Sequence, residues 1–123
     1  MIVGVSSLAE SRGFPKSGFY NASKAAATLL LESLRVELKP HNIKVVIVKP
    51  GFVRTPMTDK NEFQMPFLMD VDRAARIILN GIKKEKRIIQ FPLPIVISSK
   101  IIKFMPDWLF DFLMNKELPS RKN

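Results

Sequence analysis

Short apolar runs alternate along the chain with longer segments in which apolar residues recur every three or four positions. The runs span Ile2 to Val5, Ile43 to Val48 and Arg87 to Phe91. Short, continuous, β-branched runs are typical of strands that are buried on both faces of a parallel sheet. We therefore predict three strands, the first of which begins directly after Met1.

The segments between these runs have the periodicity of helices. From Phe19 to Lys39, leucines and alanines recur at helical spacing. Ser17 is of a type that favours helix N-caps, and Pro40 blocks further helix. A second helix is predicted to begin near Asp70 or Asp72, with an apolar face formed by Ala74, Ala75, Ile77, Ile78 and Ile82. This order predicts an α/β fold with parallel strands, alternating helices and right-handed crossovers.

The last part of the chain has a different composition, in which prolines separate apolar and aromatic pieces that also contain lysines. We therefore divide the chain into an α/β segment, 1–92, and a helical tail, 93–123. The stretch from Ile95 to Lys116 has three interpretations: peripheral contact with a membrane interface, closure of a substrate pocket, or a dimer contact. Trp108 would be an anchor residue in each of them.

Charge and composition narrow the classes of partner. The chain has 20 Lys and Arg against 11 Asp and Glu, for a net charge of +9, which favours anionic partners. The basic residues are spread out and no nucleic-acid recognition motif accompanies them, so we do not predict nucleic-acid binding.

There is no cysteine, and His41 has no partner at metal-ligand spacing, so no metal site is predicted. Without a leader or a spanning run, we expect a cytoplasmic protein, with peripheral membrane contact left open.

A phenol and an ammonium lie one helical turn apart near the start of the first predicted helix. Residues four apart, as Tyr20 and Lys24 are, share one helix face. An adjacent cation favours phenolate over phenol, which would suit the phenol to exchange a proton near neutral pH. By itself the pair is often only a chance feature of a helix surface. Two further features favour a catalytic role for the pair: Ser7 lies thirteen positions before Tyr20, and a Pro-Gly turn follows the second predicted strand.

Together, "VSS" (5–7), "YNASK" (20–24) and "PGFVRT" (50–55) resemble the catalytic half of the short-chain dehydrogenase/reductase family. The resemblance covers roughly residues 2–91 and implies the C-terminal half of a Rossmann-like, doubly wound parallel sheet. It also implies hydride transfer between a carbonyl or alcohol substrate and NAD or NADP. By resemblance, Tyr20 is the general acid or base, Lys24 tunes the phenol, and Ser7, rather than its neighbour Ser6, binds the reacting oxygen. The implied cofactor contacts are Tyr20, Lys24, Pro50, Gly51, Val53 and Thr55.

The first half of the family pattern is missing from this sequence. None of the five glycines forms the Gly-x-x-x-Gly-x-Gly turn that cradles a pyrophosphate. We therefore expect the chain to pair with a missing N-terminal half or with another copy, and its first strand to be an unpaired edge. The leucines at 29–31 would then face a dimer partner or, alternatively, this chain's own sheet. The alternative to an enzyme segment is a truncated, non-catalytic remnant that acts through interactions or at a membrane surface.

The stretch from Thr55 to Met69 follows the Pro-Gly turn. By resemblance it would cover the substrate, and its Phe and Met residues would suit an apolar ligand; the alternative is that they pack on the sheet.

Overall fold

The computed structural model describes residues 1–53 and 67–116. The elements in chain order are β1 (Ile2–Val5), α1 (Gly18–Leu38), β2 (Val45–Pro50), α2 (Val71–Lys83), β3 (Ile88–Phe91), α3 (Leu93–Phe104) and α4 (Asp107–Asn115). Short 3-10 turns lie at Leu8–Ser11 and Lys39–His41. The predicted α/β order of three strands with alternating helices is confirmed. The division into segments 1–92 and 93–123 stays a prediction.

The three strands form one parallel sheet in the order β1-β2-β3. Ile2 is level with Val45, and Ile47 is level with Ile88. As the central strand, β2 has neighbours on both sides, and its residues from Val45 to Val48 are all buried. The core continues toward α2 and β3 through Val46, Val48, Met69, Ala74, Ile89 and Phe91.

Strand β1 lies at an edge of the sheet, and its burial was predicted wrongly. Ile2, Val3 and Val5 are 38%, 40% and 57% exposed, although the apolar run suggested a strand covered on both faces. Within the described part of the chain only β2 pairs with β1, so one row of its backbone groups is free. This is the unpaired edge that the missing half of the family pattern led us to expect, and such edges favour association.

Helix α1 divides its leucines between the sheet and the solvent. A side-chain carbon added at Gly4 would lie 2.3 Å from Leu31 Cδ1, so the helix approaches β1 as closely as a glycine permits. Leu29 and Leu30 point elsewhere and are 65% and 61% exposed. Leu31 therefore packs on this chain's own sheet, whereas a dimer partner for Leu29 and Leu30 stays a prediction.

Helix α2 approaches β3 at Gly81. A Cβ built there would lie 2.5 Å from Ile89 Cδ1 and 2.6 Å from its Cγ1, and Ile89 is buried in the core. The close packing against Ile89 therefore requires glycine at this position, although glycine weakens a helix interior by about 1 kcal/mol relative to alanine.

We predict that Gly81→Ala lowers the free energy of unfolding by about 1–3 kcal/mol, because overpacking against Ile89 exceeds the gain in helix propensity. Urea unfolding followed by circular dichroism measures the change. Gly18→Ala is the matched control, because nothing lies within 4 Å of a Cβ at Gly18. A stabilising effect of Gly81→Ala would contradict the packing argument.

Candidate active site

Two consecutive serines follow β1, and their hydroxyls have different partners. Ser6 Oγ donates to the carbonyl oxygen of Lys24 at 2.9 Å and accepts from Thr28 Oγ1 at 2.7 Å. Ser7 Oγ accepts from the backbone N–H of Ala9 at 3.1 Å and caps the first 3-10 turn. The Ser7 hydroxyl proton has no acceptor among the described residues, so it is available to donate to a ligand. Of the two serines, Ser7 is therefore the one with a hydroxyl proton to offer a ligand, whereas Ser6 fastens the strand to α1.

The predicted pair of Tyr20 and Lys24 lies in the first two turns of α1. Lys24 Nζ is 5.6 Å from the centroid of the Tyr20 ring, and Tyr20 is 43% exposed. Among the described residues, the Lys24 ammonium forms no ion pair. The structure thus holds a cation beside a phenol that a ligand can reach.

Pro50 ends β2, and Gly51 follows it at the same end of the sheet. The backbone N–H of Ser6 donates to the carbonyl of Val48 at 2.7 Å, which sets the exit of β1 level with the end of β2. The Gly51 N–H donates to the carbonyl of Phe91 at 2.8 Å. A Cβ at Gly51 would lie 3.1 Å from Pro92 Cδ, so glycine permits this close approach to the end of β3.

The predicted cofactor contacts beyond the turn are only partly described. Val53 is half-buried, forms an isolated parallel bridge with Met69, and packs against the core. Thr55 lies outside the described residues, as does most of the stretch expected to cover the substrate. At the end of that stretch Met69 is a core residue, whereas Phe67 is 61% exposed, so Met69 follows the sheet-packing alternative.

Asn21 organises the loop between Ser7 and Tyr20, and the sequence analysis missed it. Its side chain is buried; Nδ2 donates to the carbonyl of Ala9 at 2.8 Å, and Oδ1 accepts from the N–H of Phe14 at 2.9 Å and from Ser17 Oγ at 3.1 Å. The available signal was a short polar amide in the first turn of a helix that follows a loop of ten residues, where backbone groups need partners.

A partly buried ion pair joins the two segments that carry the site. Lys49 Nζ lies 2.6 Å from Glu10 Oε1, and the two side chains are 13% and 16% exposed. Glu10 belongs to the turn that Ser7 caps, and Lys49 directly precedes Pro50. No pattern in the sequence indicates this pair, because the two residues are 39 positions apart.

The tail is fastened to the loop after Ser7 by Arg12. Its guanidinium donates to the carbonyls of Ile102 (2.9 Å) and Met105 (2.5 Å) and forms an ion pair with Asp107. It also lies over the Phe110 ring, 4.3 Å from the centroid. An open groove of about 400 Å³ lies beside this junction, lined in part by Phe14, Phe110 and Met114. The inner side of the tail therefore packs next to the candidate site.

The predicted residues that are described cluster at one end of the sheet. The Ser6–Lys24 and Ser6–Val48 hydrogen bonds bring the Ser7 segment, the start of α1 and the end of β2 together. Within residues 1–53 and 67–116, no hydrogen bond joins Ser7 to Tyr20. The carboxyl ends of parallel strands are where open α/β sheets bind ligands.

Comparison with known proteins agrees with this geometry. The family model of the short chain dehydrogenases matches residues 1–65, which is more than half of the 123 residues. The chain belongs to the short chain dehydrogenase family. An uncharacterized oxidoreductase of Myxococcus xanthus is 39% identical over 110 residues. A cyclopentanol dehydrogenase of Comamonas testosteroni is 38% identical over 78 residues, or 63% of this chain.

A solved structure has the same fold. A short chain dehydrogenase from Burkholderia cenocepacia, crystallised in complex with NADP, superposes with a TM-score of 0.75 at 26% sequence identity, covering 92% of this chain and 46% of that one. The match to the M. xanthus protein covers 89% of this chain and 44% of the relative, and the cyclopentanol dehydrogenase match covers 28% of the relative. The chain therefore spans less than half the length of the family members it matches.

We predict that Asn21→Ala lowers the free energy of unfolding by about 1–3 kcal/mol, because the Phe14 N–H, the Ser17 hydroxyl and the Ala9 carbonyl lose their partner in partly buried positions. Chemical denaturation followed by circular dichroism measures the loss. Asn80→Ala on α2 is the matched control, because that side chain is exposed. Equal effects of the two substitutions would contradict the anchoring role.

Proposed function

We propose that this chain provides the catalytic segment of an NAD(P)-dependent oxidoreductase that interconverts a carbonyl and an alcohol. The observation that carries the proposal is the Lys24 ammonium 5.6 Å from an exposed Tyr20 ring. This pair lies at the carboxyl end of a parallel sheet, where Ser7 has a hydroxyl proton to donate.

In the proposed reaction, Tyr20 moves the proton. During reduction the phenol donates it to the carbonyl oxygen as the carbonyl carbon receives a hydride; during oxidation the phenolate takes it back. The nicotinamide cofactor supplies or accepts the hydride when bound. Lys24 places a positive charge beside the phenol, with its ammonium 5.6 Å from the ring centroid. Ser7 donates a hydrogen bond to the same oxygen and so orients the substrate.

The residues present fit the nicotinamide end of such a cofactor. Lys24 has an ammonium free of ion pairs among the described residues and would hold the ribose, while the Pro50-Gly51 turn and the backbone of Val53 would border the nicotinamide ring. Thr55 completes this set in the sequence. No Gly-x-x-x-Gly-x-Gly turn for the pyrophosphate is present in the 123 residues, so a further segment would have to supply that contact. The NADP complex of the similar B. cenocepacia protein supports this choice of cofactor class.

For the substrate we propose a small carbonyl or alcohol compound of apolar character, because Phe14, Phe110 and Met114 line the groove beside the loop. The choice between NAD and NADP stays open, and a cytoplasmic location stays a prediction.

The second candidate function is a non-catalytic remnant. The exposed apolar residues of β1 and α1 favour it for the chain alone. A complementary N-terminal half or a second copy would be the partner at that surface.

We predict that Tyr20→Phe lowers kcat by more than about 100-fold and leaves cofactor affinity nearly unchanged, because only the phenolic proton is removed. The measurement uses a chimera in which this chain replaces the matching part of the M. xanthus relative, assayed by nicotinamide absorbance with a panel of ketones and alcohols.

The control for this substitution is the double change Phe19→Tyr with Tyr20→Phe, which keeps a phenol one position away on a fully exposed side chain. It should remain inactive, because the neighbouring position points about 100° away around the helix. Equal activity of Tyr20→Phe and the parent would rule out the proton-transfer role.

We predict that the 123-residue chain alone shows negligible affinity for NADH or NADPH, whereas the chimera binds one of them. Fluorescence titration of the reduced nicotinamide measures both. Saturable, tight binding to the chain alone would show that a pyrophosphate site is present elsewhere. Binding without turnover by the chimera would favour the remnant over the enzyme segment.

A further inference from the structure

Helix α3 is apolar on two opposite sides. Val96 is buried on the inner side, where the helix packs against β3 and the turn at Leu8–Ser11. The outer side has large apolar residues at intervals of four, four and three, which places them on one stripe. These are Leu93, Ile97, Ile101 and Phe104, with exposed fractions of 69%, 50%, 61% and 80%.

Helix α4 repeats this arrangement. Phe110 is buried against Arg12 and Phe14, whereas Trp108 and Phe112, one turn apart, are 72% and 55% exposed. Because Arg12 contacts both helices through their inner sides, their outer sides both face away from the loop after Ser7. We call the six exposed residues the tail surface: Leu93, Ile97, Ile101, Phe104, Trp108 and Phe112.

Lysines border the tail surface. Lys103 Nζ is 5.8 Å from the centre of the Phe104 ring, and Lys116 Nζ is 4.5 Å from that of Phe112. Lys100 is also exposed. Of the two acids on α4, Asp107 forms an ion pair with Arg12, and Asp111 lines the groove beside Phe110. Aromatic rings with lysine ammonium groups next to them suit a membrane interface, because the rings meet the acyl boundary and the ammonium groups meet anionic headgroups.

A comparison with the exposed leucines of α1 shows why the aromatic rings and lysines of the tail surface matter. Leu29 and Leu30 are as exposed as the tail surface, but between Ala25 and Leu38 the one basic residue, Arg35, is outnumbered by Glu32 and Glu37. Apolar exposure alone fits a protein partner, whereas aromatic residues flanked by lysines fit an anionic lipid surface. The chain's net charge of +9 adds long-range attraction to the same partner.

We propose that the tail surface binds the face of an anionic phospholipid bilayer, with α3 and α4 lying in the interface. None of the helices in the described ranges is long and apolar enough to cross a bilayer. Contact is therefore peripheral, through rings and aliphatic chains at the depth of the headgroups. This inference does not depend on the proposed catalytic function.

The chain has a built-in probe, because Trp108 is its one tryptophan. The full chain is titrated with vesicles of phosphatidylcholine alone and with vesicles that also contain phosphatidylserine. We expect a blue shift of the emission and co-sedimentation with the anionic vesicles, both weakened by added salt. Absence of shift and co-sedimentation with anionic vesicles would overturn the proposal.

Two double substitutions and one control test which residues of the tail bind the vesicles. Ile101→Ser with Phe104→Ser should lower the vesicle partition coefficient at least about tenfold, and Lys100→Gln with Lys103→Gln should remove most of the preference for anionic vesicles. Leu29→Ser with Leu30→Ser on α1 is the matched control and should bind like the parent. Circular dichroism verifies that each variant is folded.

The outcomes separate lipid from protein partners. Equal loss in the α1 control and the tail pair would overturn the proposal, because binding would then follow apolar exposure in general. Self-association that the tail pair abolishes in lipid-free solution, together with no vesicle binding by the parent, would assign the tail surface to a second copy instead.

Discussion

The hydrogen bonds of the Ser6 hydroxyl are the constraint on which the candidate site depends. They join the exit of β1 to the Lys24 carbonyl and to Thr28, both within α1, and Lys24 is the lysine that we propose acts in the site. Because the N–H of Ser6 also pairs with β2, one residue fixes the helix against two strands. A buried hydroxyl with both its donor and its acceptor used holds position more firmly than apolar packing, which is non-directional.

The loop from Ser7 to Ser17 is ordered by polar contacts more than by apolar burial. Asn21 fastens it to α1, Glu10 fastens it to Lys49, and Arg12 fastens it to the tail. Ion pairs that lose most of their solvent add little net stability. Removing one partner is nevertheless costly in free energy, because the other charge is left unpaired, so such pairs favour one arrangement of the loop over others. The site is thus built on a loop that three separate elements hold in place.

Two exposed apolar surfaces differ in chemistry. The one on β1 and α1 has a free strand edge and few charges, and it belongs to a chain that spans less than half of its relatives. The other, on the tail, has lysines beside its aromatic rings. The free strand edge suits protein pairing at the first surface. The aromatic rings with lysines beside them suit lipid contact at the second.

Local patterns in the sequence determined the order of strands and helices, the helix start near Ser17, and the pairing of Tyr20 with Lys24, because strand and helix periodicities are properties of neighbouring residues. They also placed Ser7 and the Pro50-Gly51 turn at strand ends. Only the tertiary structure decided that Ser6 fastens α1 and that Glu10 meets Lys49. Those features depend on contacts between residues far apart in the chain, and no local spacing encodes which distant partners a side chain will find.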